Sequence, residues 1–285
     1  CYTKQDRSTT PEHFMADGRF YLLCRLVEER IVDFVEVIVH GGRPYQQLLH
    51  SGVNYRSIPD LDELNVSHKD VVWIRGGFKP TDFYKRCNQE KIWLLFYGAN
   101  TGHARWPFWD IVFQDCASGD WFDKNDRLYL HYPKPINPDV FYPIEESSAV
   151  YDICIGASHI SDHKGQWLAI KAIREYERLF KNRLACVMPG AFRRGRHSQS
   201  TIDMIKSKKV DVDLPGILSR DDLCHLFNKS RLFLHCGGGQ NDRSLLEAMR
   251  SGTPCLLTRE KHHDPFTYSA PGMSCLSDPK KIAIS

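Results

Sequence analysis

A glycine-rich segment at residues 236–243, CGGGQNDR, stands directly before the helix-like run SLLEAMRS. Gly237, Gly238 and Gly239 allow the backbone to approach a ligand closely, and a helix N-terminus presents unpaired N–H groups at a positive dipole end. A diphosphate suits this arrangement. Glu247 follows one turn into the helix, where its carboxylate can accept hydrogen bonds from a ribose diol. The alternatives are a plain tight turn for the glycines and a solvated helix acid for Glu247.

A second polar loop, GASHISDHKG at residues 156–165, follows the apolar run YDICIGA and leads into another helix. Lys164 supplies a point charge for the same diphosphate if the two loops share one edge of a sheet. His159 in the same loop is a weaker cation, whose charge depends on pH.

Three further polar segments are candidates for lining a cleft: one precedes the first predicted helix, and two follow predicted strands. They contribute Arg7, Asn100, His103 and Arg193 as candidate cleft residues. A satisfied loop histidine is at least as good an account of His103, and a solvated loop is the usual account of the basic segment AFRRGRH. Asp211 and Asp213 resemble a D-x-D metal motif, but no other carboxylates accompany them, so we expect no metal site.

Apolar runs and amphipathic helices alternate through the second half. Strands are predicted at 151–157, 184–190, 210–216, 231–236 and 253–258, and helices at 165–180, 199–208, 219–230 and 244–251. This alternation predicts a parallel, doubly wound sheet, in which ligands bind beyond the carboxyl ends of the strands.

The first half shows the same alternation less cleanly. Helices are predicted at 20–31 and 43–52, and strands at 33–40, 53–59, 69–76 and 91–98. The proline-punctuated segment 131–143 cannot form a regular element and is interpreted as a linker. We therefore expect two domains, residues 1–143 and 144–285.

The composition indicates a globular chain of 285 residues with 42% hydrophobic side chains, and no apolar run is long enough to span a bilayer. The ten cysteines include no C-x-x-C pair, and several lie in apolar strands, which predicts buried thiols in a reducing, cytoplasmic compartment.

Residues 1–144 carry 17 basic against 19 acidic side chains, and the remainder carries 21 against 16. The basic second half favours an anionic ligand such as a nucleotide.

Four features of the second half occur in one order: INPDVFYPI, GASHISDHKG, LPGILSRDDLCHLFNKSRLFLH and CGGGQNDRSLLEAMRSGTPCLL. Their order and residues resemble family-4 glycosyltransferases, enzymes of the two-Rossmann type B fold. The resemblance covers residues 131–278, and LLEAMRSGTPCLL is its most specific part. The first half matches by architecture only. The family's first strand is nearly absent because the chain begins at Cys1, and the chain stops before the family's terminal helices, so the sequence is either partial or a minimal member.

The resemblance implies an α/β protein with two Rossmann-like doubly wound domains facing each other across a cleft, the first on the acceptor side and the second binding the donor. It implies retaining, metal-independent transfer of a sugar from a UDP-, GDP- or ADP-sugar co-substrate, without another cofactor, to an acceptor hydroxyl. Glycan, lipid, small molecule, protein and modified nucleic acid all remain open as acceptors. The catalytic candidates are Lys164, His159 and Glu247. The donor-binding candidates are Gly156, Ile217, Gly237, Gly238, Gly239, Gln240, Asn241, Asp242 and Arg243.

Two positions depart from the family pattern. Gly239 stands where the family has the first Glu of its E-x7-E motif, and His159 stands where it has an Arg. Gln240, Asn241 or Asp242 can replace that Glu as a ligand of the sugar hydroxyls. Two alternative functions follow: a nucleotide-sugar epimerase of the same architecture, and a binding protein that kept the nucleotide site without catalysis.

Overall fold

The computed structural model divides the chain into two compact units, residues 1–137 and 138–285. The division falls inside the segment 131–143, which the sequence predicts as a linker. The structure describes residues 2–4, 15, 18–40, 45–48, 52–58, 60–75, 82–97, 107–114, 128–131, 134–145, 147–156, 159–160, 164–192, 195–207, 209–237, 243–259, 274–276 and 278–284.

The first unit is built around one sheet, with strands in the order β3-β4-β2-β1-β5-β6-β7-β8. The strands are β1 (Tyr2–Lys4), β2 (Val35–His40), β3 (Tyr45–Leu48), β4 (Val53–Ile58), β5 (Val71–Arg75), β6 (Trp93–Tyr97), β7 (Ile111–Gln114) and β8 (Leu128–His131). The helices are α1 (Gly18–Glu28), α2 (Asp82–Gln89) and a short 3-10 turn, Leu61–Glu63. The sequence leads us to expect that the first strand is nearly absent, but Tyr2–Lys4 form β1, which pairs in parallel with β2 and β5.

The predicted helix at 43–52 is wrong. Residues 45–48 form β3, which pairs antiparallel with β4 from Tyr45 opposite Ser57 to Leu48 opposite Asn54. Gly52 has φ of +73°, a conformation that glycine adopts at little cost, and it precedes β4 at the turn. The pairing supplies hydrogen-bond partners for the backbone N–H and C=O groups at the edge of β4. This stabilisation comes from the tertiary structure, and it outweighs the local helical pattern.

Aromatic packing holds the first unit together. Phe83 and Tyr84 of α2 are fully buried against the sheet, and Trp109 stacks on Phe96 with ring centroids 4.8 Å apart. Burial raises the pKa of the Tyr84 hydroxyl. These large side chains form a core on one face of the sheet, as the apolar strand pattern predicts.

The second unit has a six-stranded sheet in the order β13-β11-β9-β14-β15-β16, parallel throughout its described strands, and a small β10-β12 pair. The strands are β9 (Tyr151–Ile155), β10 (His159–Ile160), β11 (Cys186–Val187), β12 (Ala191–Phe192), β13 (Val212–Asp213), β14 (Ser230–His235), β15 (Cys255–Arg259) and β16 (Ser274–Leu276). The helices are α3 (Gln166–Phe180), α4 (Arg196–Lys206), α5 (Arg220–Asn228), α6 (Arg243–Arg250) and α7 (Pro279–Ile284). The predicted strand and helix alternation of this half is confirmed.

Local signals place these helices. Ser219 caps α5 by accepting a hydrogen bond from the Asp222 N–H at 3.1 Å, with two acids in the first turn. Gly165, at φ of +67°, precedes α3, and Lys181 ends it in the left-handed conformation. None of the described helices has the length and hydrophobicity to cross a bilayer. Free thiols are buried at Cys87, Cys154, Cys186, Cys224 and Cys255.

The segment after Asn137 packs on the second unit. The Asn228 side chain donates from Nδ2 to the Tyr142 carbonyl at 3.0 Å and accepts from the Ile144 N–H at 2.7 Å. Phe141 is buried with its ring centroid 6.2 Å from that of Phe227. These contacts fix residues 141–144 against α5.

Candidate functional site

The strand order of the second unit reverses its direction at β9. The chain passes from β9 to β11 on one side, and β14 pairs with β9 on the other. In open parallel sheets, ligands bind beyond the carboxyl ends of the strands at such a reversal of strand order. The segments that follow β9 and β14 are therefore the ones to inspect.

These two segments are in direct backbone contact. A Cβ built on Gly165 would lie 2.0 Å from the Cys236 carbonyl oxygen and 3.0 Å from the Gly237 nitrogen. A Cβ built on Gly237 would lie 3.0 Å from the Lys164 carbonyl oxygen. Only glycine fits at Gly165, because its φ of +67° and its surroundings both exclude a side chain. The structure thus brings the Lys164 loop and the glycine-rich segment together.

The N-terminus of α6 lies just after this contact. Leu245 and Ala248 bury one face of the helix, and Ser244 in its first turn is buried as well. The Ser244 hydroxyl oxygen has no hydrogen-bond partner among the described residues. A helix start with its N–H groups and a buried hydroxyl is chemically suited to an anion.

Glu247 is buried, with 3% of the residue exposed, so the interpretation as a solvated helix acid is wrong. Its Oε1 accepts a hydrogen bond from Nη1 of Arg220, the first residue of α5. The side chains of the ion pair are 20% exposed for Arg220 and 4% for Glu247. Glu247 is thereby held on the side of α6 that faces α5.

Arg220 is a residue that the sequence analysis missed. It follows the Ser219 cap and reads as an ordinary helix-start residue, while its partner lies 27 positions further along the chain. Its guanidinium also lies 6.0 Å from the ring centroid of Phe141. No local sequence pattern links Arg220 to Glu247 or to Phe141.

Three other candidates have described positions. A Cβ on Gly156 would overlap the Phe233 ring at 2.0 Å, so this glycine allows β9 and β14 to pack closely at their carboxyl ends. Ile217 follows Gly216, whose φ is +77°, and is 79% exposed between β13 and α5. The backbone of His159 pairs with Ala191 in the β10-β12 ladder.

Several candidates lie outside the described residues, and their roles stay predictions. They are Arg7, Asn100, His103, Arg193, Gly238, Gly239, Gln240, Asn241 and Asp242. The Asp213 carboxylate accepts a hydrogen bond from the Tyr151 hydroxyl at 3.0 Å. Within the described ranges, no three His, Cys, Asp or Glu side chains are grouped so as to hold a metal ion.

Two doubly wound α/β units, whose sheets are parallel apart from the edge strand β3 of the first, define the type B fold of glycosyltransferases, and the chain has this fold. No protein-family model matches the sequence, and no curated protein matches it significantly. Solved structures do match.

Sucrose-phosphate synthase from Thermosynechococcus elongatus is similar with a TM-score of 0.66 and 10% identity, over 99% of this chain and 87% of that one. Anabaena HepE, solved with UDP and glucose, has a TM-score of 0.64 and 12% identity, over 99% and 87%. The Escherichia coli trehalose-6-phosphate structure with UDP-2-fluoro glucose has a TM-score of 0.66 and 9% identity, over 99% and 89%. At these identities the likeness concerns the fold.

Proposed function

We propose that this protein is a glycosyltransferase that moves a sugar from a nucleotide diphosphate donor to an acceptor hydroxyl. The observation that carries the proposal is the backbone contact of Lys164–Gly165 with Cys236–Gly237, which precede α6 in the chain. The contact joins a lysine loop and a glycine-rich loop at the strand-order reversal, where a type B fold has room for a nucleotide. The similar Anabaena and Escherichia coli structures were solved with UDP and with a UDP-sugar.

Each group of the donor has a chemically matched partner in this proposal. Lys164, the N–H groups at the start of α6 and the Ser244 hydroxyl bind the diphosphate, and His159 adds charge when it is protonated. Glu247 binds the ribose, and Ile217 contributes an apolar surface to the donor. Gly238, Gly239, Gln240, Asn241, Asp242 and Arg243 complete the donor site, with Asp242 the best candidate to hold the sugar hydroxyls. The acceptor side is assigned to Arg7, Asn100, His103 and Arg193.

The proposed reaction retains the anomeric configuration. The bond from the anomeric carbon to the diphosphate oxygen breaks, and its electron pair goes to the diphosphate. The acceptor oxygen forms a new bond to that carbon from the same face, and the hydroxyl proton passes to the departing diphosphate. Lys164 and the α6 N–H groups stabilise the charge that develops on the leaving group, which is preorganised electrostatic catalysis. No metal ion takes part.

Lys164→Ala tests the diphosphate assignment. Charge-assisted hydrogen bonds contribute about 1.5–3 kcal/mol, so the dissociation constant for UDP should rise at least tenfold. Lys171→Ala is the matched control, because Lys171 is exposed on α3 and its ammonium lies 4.7 Å from the Trp167 ring. Isothermal titration of both folded variants with UDP measures the two dissociation constants. Equal UDP affinities in the two variants would contradict the assignment.

The two alternatives are separated by turnover of UDP-, GDP- and ADP-sugars with and without added acceptors. Transfer requires an acceptor, whereas an epimerase converts the sugar nucleotide without one. Nucleotide binding without hydrolysis, transfer or epimerisation would favour the binding protein. The experiment includes the binding-protein alternative because Gly239 and His159 depart from the family pattern.

A further inference from the structure

The proposed function assigns Glu247 to the donor ribose but gives no role to Arg220, which forms a buried ion pair with it. Ionised groups are rarely taken out of water unless they are paired, since removal of hydration costs several kcal/mol for each ion. Glu247 keeps 4% of its side chain exposed and Arg220 keeps 20%, so the acid is the more deeply buried partner. A carboxylate in such a place has few orientations available.

The guanidinium itself is held in place from the other side. It lies 6.0 Å from the ring centroid of Phe141, within the range of cation–π contact. Phe141 is 1% exposed and packs on Phe227, while Asn228 holds the backbone at Tyr142 and Ile144. Arg220 therefore stands between a fixed aromatic ring and the Glu247 carboxylate.

The helix that carries Glu247 is also fixed at this level. The Ser251 hydroxyl donates to the Glu247 carbonyl oxygen at 2.9 Å, and the Ser251 oxygen lies 3.8 Å from the Cys224 sulfur of α5. Helices α5 and α6 are thus joined at the position of the ion pair. The contacts define the direction of the carboxylate before any ligand binds.

We infer that Arg220 is a positioning residue that holds the Glu247 carboxylate in the orientation that accepts hydrogen bonds from the donor ribose. The inference rests on the proposed function and adds a residue that determines its specificity for ribose hydroxyls. Arg220 donates to Oε1 of the carboxylate, and because an ionised carboxylate accepts several hydrogen bonds at once, this bond is compatible with one from a ribose hydroxyl. A site built to bond a buried hydroxyl rejects a ligand that lacks it, because its polar groups then stay unsatisfied.

The test compares UDP with 2′-deoxy-UDP and 3′-deoxy-UDP by isothermal titration. Wild-type protein should bind UDP at least tenfold more tightly than one of the deoxy analogues. In Arg220→Met this preference should fall to threefold or less, and Arg220→Lys should restore it only in part, because lysine is a point charge without a planar fork. A full wild-type preference in folded Arg220→Met or Arg220→Lys would overturn the inference.

A double-mutant cycle with Glu247→Gln shows whether Arg220 acts through Glu247. If it does, adding Arg220→Met to Glu247→Gln should change UDP affinity by less than threefold. Losses that multiply would mean that Arg220 binds the nucleotide by itself, and the inference would fail. The double variant leaves no unpaired buried charge, so the comparison with Glu247→Gln remains available if Arg220→Met alone does not fold. Wild-type protein that binds none of UDP, GDP and ADP would instead refute the proposed function, and this inference with it.

Discussion

Replacing Gly165 by alanine tests the contact on which the site depends. The new Cβ would lie 2.0 Å from the Cys236 carbonyl oxygen and 2.4 Å from its carbon. Relaxed carbon–oxygen contacts are about 3.3 Å long, so the two segments must separate by about 1 Å. The left-handed conformation at φ of +67° adds a separate cost for any residue with a side chain.

Gly252→Ala separates these two costs. Gly252 has φ of +82°, but its added Cβ would meet Pro143 at an ordinary distance of 3.5 Å. It should therefore lose only the conformational part, about 1–2 kcal/mol of unfolding free energy. Gly165→Ala should lose about 1–3 kcal/mol more, the usual cost of backbone shifts caused by an extra buried carbon.

Urea unfolding measures the stability difference, and isothermal titration with UDP measures its consequence for the site. A displacement of about 1 Å at a binding constellation can cost up to about 100-fold. We expect UDP affinity to fall at least tenfold in Gly165→Ala and to change less than threefold in Gly252→Ala. Equal stability losses in the two variants would refute the reasoning about the contact. A larger stability loss in Gly165→Ala together with unchanged UDP affinity would instead show that the contact lies apart from the ligand site.

Two further predictions concern metal ions and alkaline pH. Sugar transfer and UDP binding should persist in EDTA, because Lys164 and the α6 N-terminus bind the diphosphate; activity that is lost in EDTA and restored by manganese would revive Asp211 and Asp213 as ligands. Burial raises the pKa of the thiols of Cys24, Cys154, Cys186 and Cys255, and that of Cys87 to about 11. Thiols in the unfolded chain have a pKa of about 8.5. Because the native thiols have higher pKa values, the stabilisation from their protonated form is complete below that pH and is lost as the pH rises toward about 11. The urea concentration at the midpoint of unfolding should fall over this pH interval, and it should fall less steeply in Cys87→Ala. A midpoint that stays constant would contradict the raised pKa values of the buried thiols.

The second unit was predictable because its local and tertiary preferences agree. The apolar run 231–236 lies in β14 and its continuation, buried from Phe233 to Cys236, and α3 and α5 begin where Gly165 and the Ser219 cap place them. Periodicity and capping act over a few residues, so they can be recognised without knowledge of the fold. The glycine-rich segment and the Lys164 loop were recognised as partners for the same reason, since both follow strands of one parallel sheet.

The first unit shows where local pattern fails. Residues 45–48 have a helix-compatible composition, yet they pair with the edge of β4. The gain from that pairing depends on a strand whose place in the sheet the sequence does not reveal. The sequence indicates that the first strand is nearly absent, yet Tyr2–Lys4 form β1 between β2 and β5 in the sheet order.

The sequence by itself determined the alternating α/β class, the glycine-rich helix start and the candidate residues Lys164 and Glu247. Only the tertiary structure decided that Gly165 lies against Cys236, that Glu247 is buried, and that Arg220 is its partner. Secondary structure follows from interactions between near neighbours in sequence, which leave a visible period or cap. An ion pair between two helices depends on how those helices pack, and residues 27 positions apart carry no mark of that packing in their own types.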